Sequence, residues 1–414
     1  MSCKGYLGTS ILGEKIKIVD LTREKIPLDS FFERGIADDD CGELVNLALC
    51  VPDLYVLAVG PSACSKVLYY RAYKKGLNER LFLLAVSSAD FATGQHLHKL
   101  EEMLEWLAVS HRPRAIIIYM TCGDLLAGSD FTDLTVRMRD KYAIPVKPFE
   151  RGPLSRRRGL PRERLSGILV DLLEMNTPKG EKRHFNILAD TDKLSEASGL
   201  KQILTDCGAE GIREFAALDS YEAFAGMVNA RLNIALDRFG CEMAARMREK
   251  WNIPFVFLPA RYNVKEIKGN YAVLLEALQV TWDVSGDEKE YHRVAAEVSE
   301  GLSGKRIAVG IGQRSFELTQ ALVELGLDVA LIFVETVSKP EIAYIQALAA
   351  MNSPAQIYLI SNISAETQAN DFQEIDIAIG EKASFYCDQA KAIPVSNEYR
   401  FGYEDILGIL EAIR

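Results

Sequence analysis

Residues 54–64 read LYVLAVGPSAC, a run of strand length without a charge, then a Gly-Pro-Ser turn, then a stretch of helical period that opens around Cys64. A strand that is apolar at every position, rather than at alternate ones, is buried on both faces, which points to a parallel sheet covered by helices on each side. Working outward, the same pattern recurs at LFLLAVS (81–87) and AIIIYM (115–120), then at HFNILAD (184–190), RLNIALD (231–237) and IPFVFLP (253–259). It returns in RIAVGIG (306–312), DVALIFV (328–334), QIYLI (356–360) and IDIAIG (375–380). Between the runs lie segments with helical spacing, such as KLSEASGLKQILTDCG (193–208), which ends in a Gly suited to a C-cap, and GCEMAARMREKWN (240–252). The fold class expected is α/β, with Rossmann-like, doubly wound parallel sheets.

Two breaks interrupt the alternation. One is the basic, turn-rich PFERGPLSRRRGLPRER (148–164) with the later NTPKGEKR (176–183); the other is SGDEKEYHR (285–293) followed by GLSGKR (301–306). They divide the 414 residues into three expected domains, 1–178, 179–300 and 301–414, arranged around a central cleft. With 48 Lys and Arg against 58 Asp and Glu, the net charge of −10 argues against a general nucleic-acid binder, which needs a basic surface. No apolar run reaches the roughly 18 residues of a membrane helix, and the start lacks the charged and apolar regions of a secretion signal, so a cytoplasmic protein with no membrane partner is expected.

The cysteines at 3, 41, 50, 64, 122, 207, 241 and 387 are too scattered for a disulfide scaffold. Cys64 follows the strand LYVLAVG, Cys122 follows AIIIYM in TCGDLLAGSDF, and Cys41 stands in DDDCGELVNLALC before the first strand. In open α/β sheets, ligands bind outside the carboxyl ends of strands. Taken singly, each cysteine fits a small buried residue. Taken together, the three point to metal ligation, and without a C-x₂₋₄-C pair they point away from a zinc ribbon and toward an iron–sulfur cluster. Cys50 reads either as a core thiol or as a fourth ligand, and Asp38, Asp39 or Asp40 is the alternative fourth ligand.

These pieces resemble the component 1 superfamily of nitrogenase, which includes tetrapyrrole reductases and cofactor-assembly scaffolds. The resemblance is carried by Cys41-Gly42, VGPSACS (59–65), SSADFATG (87–94) and TCGDLLAGSDF (121–131), continuing through 230–259, 304–312 and 376–395. It implies a cluster, [4Fe–4S] or larger and P-cluster-like, bound by Cys41, Cys64 and Cys122 where two homologous or identical subunits meet. It implies an ATP-dependent iron–sulfur reductase as electron donor, with ATP on that partner. Consistently, GIG at 310–312 lacks the rest of a phosphate loop.

The sequence also departs from the family. In catalytic nitrogenase subunits a cysteine of the second domain and a histidine of the third anchor the large cofactor. Here the first position falls near Leu236 or Asp237, with Cys241 about a helical turn later, and IPVSNEYRFGYED (393–405) has no histidine. Dinitrogen reduction is therefore not expected. The reading is a nitrogenase-like reductase subunit that passes low-potential electrons to an unidentified substrate, with a tetrapyrrole as one candidate. A non-catalytic scaffold for metallocluster assembly is the alternative. Arg156, Arg157 and Arg158, in a run with Arg151, Arg162 and Arg164, are expected either to recognise carboxylates of a substrate or an acidic partner, or to form a solvated linker. The histidines at 96, 98, 111, 184 and 292 form no ligand pair and are expected to be surface or core residues.

Overall fold

A computed structural model describes residues 15–18, 41–121, 123, 127–150, 161–175, 184–190, 192–196, 198–312, 314–334, 337, 340–360, 372, 374–395 and 398–414. Of the expected site residues, Cys122, Arg156, Arg157 and Arg158 lie outside this set, as does the side chain of Cys41. The described chain forms three sheets and divides into two compact units. One unit runs from residue 38 to 259, apart from 198–200; the other holds the described residues before 38 together with 260–414. Among the described residues, no helix is long and apolar enough to cross a membrane.

The chain starts with β1 (Lys15–Lys17), which belongs to the third sheet, and continues with α1 (Cys41–Leu49). The first sheet consists of β2 (Leu54–Gly60), β3 (Leu81–Ala85), β4 (Ala115–Met120) and β5 (Val146–Glu150), all parallel, in the order β3-β2-β4-β5. Its helices are α2 (Ser62–Lys74), α3 (Ser88–Thr93), α4 (Gln95–Ser110) and α5 (Thr132–Tyr142), with α6 (Pro161–Met175) leading on. Alternate residues of each central strand feed separate cores. Val56, Ala58, Ile117 and Tyr119 pack with α1, α2 and α6, whereas Leu57, Val59, Ile116 and Ile118 pack with Leu100, Leu104 and Leu107 of α4 and Met138 of α5. Both faces are thus covered, which is why the strands are apolar at every position.

The second sheet, β7-β6-β8-β9, is likewise parallel, built from β6 (His184–Leu188), β7 (Ile212–Glu214), β8 (Ala230–Ala235) and β9 (Phe255–Phe257). Its helices include α7 (Gly199–Asp206), α8 (Tyr221–Ala225) and α9 (Arg238–Trp251). It shares the first of the two cores, since Phe239, Met243 and Met247 of α9 pack with Leu165, Leu169 and Leu172 of α6. A buried polar pair sits inside it: Asn186 Nδ2 donates to Asn233 Oδ1 and to the Met227 carbonyl, each at 2.8 Å. The two asparagines face each other in the β6/β8 register, so a slip of that pairing would strand buried amides.

At the amino end of β6, His184 is 8% exposed, and burial together with the Arg213 guanidinium pulls its pKa down to about 4. The unfolded chain takes up this proton near 6.5 and the folded chain only near 4, so stability is complete above the higher value and falls as the pH drops toward the lower. The loss expected is on the order of 2 kcal/mol. Urea midpoints at pH 7 and pH 5 should therefore differ more for the native chain than for His184→Gln, and equal differences would contradict the assignment.

The third sheet has the order β1-β12-β11-β10-β13-β14, with β1 antiparallel to β12 and the rest parallel. Its strands are β10 (Arg306–Val309), β11 (Asp328–Val334), β12 (Gln356–Leu359), β13 (Ile377–Ile379) and β14 (Lys391–Ile393). Its unit adds α10 (Val264–Leu278), α11 (Ser285–Gly301), α12 (Ser315–Glu324), α13 (Glu341–Ala350), α14 (Glu381–Tyr386) and α15 (Glu404–Ile413). Rings of Phe333, Tyr358, Phe372 and Tyr386 pack against one another with centroids 5.2–5.9 Å apart, and Cys387 is buried beside them. The segment 285–293 is not the break expected from its charge. It is the first half of α11, which buries Tyr291, Val294, Ala295 and Val298 along one stripe and leaves Asp287 and Glu288 in the first turn, where the helix dipole favours acids.

Candidate functional site

Each sheet reverses its winding once. In the first two the chain lays down one strand, adds the next on one side, then crosses to the other side of the first; in the third it adds β11 and β12 beside β10 before crossing, so the switch points lie between β2 and β4, β6 and β8, and β10 and β13. Loops leaving such a pair diverge and open a crevice at the strands' carboxyl ends. Glycine marks each crevice. Gly60, at φ 151°, ends β2 so close to Thr121 that a Cβ would stand 2.3 Å from its Cγ2. In the second sheet a Cβ on Gly240 would stand 2.0 Å from the Leu188 carbonyl oxygen, and in the third a Cβ on Gly380 would stand 2.5 Å from that of Gly310.

At the first switch point, Val59 pairs with Met120, so the turn that leads into α2 and Cys64 and the chain that leads from β4 toward Cys122 leave adjacent strands at one edge. Cys64 is exposed in the first turn of α2, whose N-cap Pro61 provides no side-chain cap. The loop after β3 borders the same edge through Ser87 and Asp90, which form a capping box on α3. A Cβ on Gly123 would stand 2.8 Å from Phe91 Cζ, and buried His96, beside the Phe91 ring, joins Ser129 Oγ at 2.8 Å and the Asp90 carbonyl at 3.2 Å. These contacts bind the stretch after Cys122 to the loop after β3. Among the described residues no group of three His, Cys, Asp or Glu side chains converges on a metal position. Of the three expected thiol ligands, Cys64 alone has a described side chain.

Cys41 begins α1, which packs on α2 and β2 and whose carboxyl end leads through Cys50 to the start of β2. Cys50 therefore lies before β2 and Cys64 after it, separated by a strand of about 20 Å. The Cys50 thiol packs partly buried against the shared core, and burial pushes its pKa to about 12, with Asp190 adding to the shift. Cys50 and Cys64 thus stand at opposite ends of β2. Cys241, in α9, is likewise partly buried, with its pKa raised by burial. Leu236 is buried and Asp237 caps α9, its Oδ1 accepting from the Gly240 N–H at 2.7 Å.

The third switch point carries charged residues that no sequence motif marks. Arg314 lies just before α12, its guanidinium 3.9 Å from the centroid of the Tyr262 ring and 3.2 Å from Asp405 Oδ2. Glu317, 4% exposed, accepts from the Tyr262 N–H at 2.8 Å and lies 3.7 Å from Arg261. Burial raises the pKa of both carboxyls against the pull of Arg314. Arg314 Nε and Nη2 are buried and make no hydrogen bond among the described residues, and Glu317 Oε2 lies 4.0 Å from Nε, so two carboxylates face this guanidinium. An arginine beside a Gly-x-Gly turn was the available signal, overlooked because the turn was tested only as a phosphate loop.

A family model for nitrogenase component 1 type oxidoreductases matches residues 45–413. The chain belongs to this family. The nitrogenase iron-molybdenum cofactor biosynthesis protein NifE of Clostridium pasteurianum is 21% identical in an alignment 328 residues long that covers 74% of this chain and 70% of that protein. The solved structure "Nitrogenase Cp1 at pH 6.5" superposes with a TM-score of 0.68 at 13% identity, covering 94% of each chain. "Nitrogenase Cp1 at pH 5" superposes with a TM-score of 0.62 at 15% identity, covering 100% of this chain and 89% of that one. At such identities the two structures establish a shared fold. Within the component 1 match fall Cys64 and Cys122, whereas Cys41 lies just before it.

Proposed function

We propose that this component 1-type chain binds an iron–sulfur cluster through Cys41, Cys64 and Cys122 at the first switch point, and that a homologous or identical subunit completes the ligand set. The observation that carries this reading is the exposed Cys64 thiol, set in an uncapped helical turn beside the strand end that leads to Cys122. An exposed soft thiol at the carboxyl edge of an open sheet fits iron–sulfur ligation, whereas the partly buried Cys50 and the buried Cys387 do not. Three thiolates per chain under-ligate a cubane, hence the shared interface. When bound, such a cluster supplies one-electron chemistry, and the electron donor proposed is a separate ATP-dependent iron–sulfur reductase. The substrate proposed for that chemistry is a bulky conjugated molecule such as a tetrapyrrole.

A second reading, assembly of a metallocluster for transfer to another protein, is favoured by the similarity to a cofactor biosynthesis protein. Two measurements separate them. Anaerobically purified chain should contain iron and sulfide and sediment as a dimer or larger; an iron-free 46.1 kDa monomer would remove the basis of both readings. Single-turnover consumption of a small molecule in the presence of the reductase supports the first reading, and departure of iron to an acceptor protein supports the second. In both, tight nucleotide binding belongs to the partner, and micromolar ATP affinity of this chain alone would contradict it.

A further inference from the structure

Near the amino ends of β6 and β7, away from the switch point of the second sheet, is a cavity of about 670 Å³ walled by His184, Arg213, Leu218, Asp219 and Ala223. Arg213 Nη1 donates to His184 Nε2 at 2.8 Å, and the imidazole in turn donates to the backbone of Gly226. That pairing holds the ring neutral, so the histidine orients the guanidinium without cancelling its charge. No carboxylate cancels it either. Among the described residues Arg213 has no ion pair, and burial lowers its pKa with no acid opposing the shift. Its neighbour Glu214 is turned away, bound to the Leu194 N–H and 3.3 Å from Lys201 Nζ.

The guanidinium lies flat on Gly226, where a Cβ would stand 2.5 Å from Nη1 and 2.9 Å from Nη2. The glycine makes room for the arginine, which lines the cavity, and among the described residues Nε and Nη2 make no hydrogen bond. A planar fork with two parallel N–H groups matches the two oxygens of a carboxylate. Asp219 and Glu210 line the same cavity and would repel a second negative group. We infer that this cavity binds a small organic acid, monoanionic or zwitterionic, by seating its carboxylate on Arg213. The site is independent of the cluster and its cysteines.

Arginine-specific labelling of the full chain with phenylglyoxal, read by mass spectrometry at fixed ionic strength, tests this. Butyrate and 4-aminobutyrate are the probes, with chloride and inorganic phosphate as controls. For an affinity of about 10 mM, about 50 mM probe should slow labelling of Arg213 about sixfold. Arg231, exposed on β8, should label at an unchanged rate. Calorimetry on Arg213→Lys, which keeps the charge but loses the fork, should show binding weakened at least about tenfold. Slowing by neither probe, equal slowing by chloride or phosphate, or native affinity in Arg213→Lys would each overturn the inference. Should that variant fail to fold, labelling of the native chain decides alone.

Discussion

Cys64→Ala should reduce the iron content of anaerobically reconstituted protein to near background and abolish the thiolate-to-iron absorption near about 400 nm. The residue is exposed in the first turn of α2, so its loss removes a soft anionic ligand while leaving no core cavity to destabilise the fold. The unfolding free energy from urea titration should change by less than about 0.5 kcal/mol, which separates ligand loss from unfolding. Cys41→Ala and Cys122→Ala should behave alike. Cys50→Ala and Cys387→Ala should do the reverse, keeping the iron and costing about 1 kcal/mol or more through small voids in packed cores. Native iron content in Cys64→Ala would remove the first switch point as the cluster site.

Gly240→Ala should destabilise the chain by about 3 kcal/mol or more, measured as a lower urea midpoint with an unchanged slope. The first turn of α9 lies on the end of β6 so closely that the added methyl would stand 2.0 Å from the Leu188 carbonyl oxygen and 2.6 Å from its carbon. Backbone cannot yield as a side chain end can. Relief would require α9 to lift, and the helix is fixed at that end by Asp237, which accepts from the N–H groups of both Gly240 and Asp190. Lifting it would also separate Met243 and Met247 from the core that α6 and α9 share. A loss below about 1 kcal/mol would show that the helix end can shift freely.

The central strands were legible because burial on both faces writes itself as an unbroken apolar run. Four strands carried no such run, and all four are edges: β1, β5, β7 and β14. An edge strand has one neighbour and less cover, so KIK, IRE and KAI suffice, and β5 even contains Pro148. The cysteines at the first sheet's strand ends were visible for a related reason, since a strand's end can be read from where its apolar run stops. Strand order cannot be read that way, and it is the order that makes β2 and β4 a switch point. The Arg314, Asp405 and Tyr262 group and the Arg213 and His184 pair were hidden because their members come together through topology rather than spacing.

The pairing of β1 with β12 also constrains how this chain is made. Lys17 faces Gln356, so once β1 has been made, roughly 340 more residues must follow before its partner appears. At about 5–20 residues per second, that interval is roughly 20–70 s. The unit spanning 38–259 is almost continuous in sequence and can close during that wait, whereas the other cannot be completed until its strands and helices beyond 260 have been made. Throughout it, β1 is a short, lysine-flanked strand with its hydrogen-bonding edges unpaired, and its charges discourage wrong partners until the right one is synthesised.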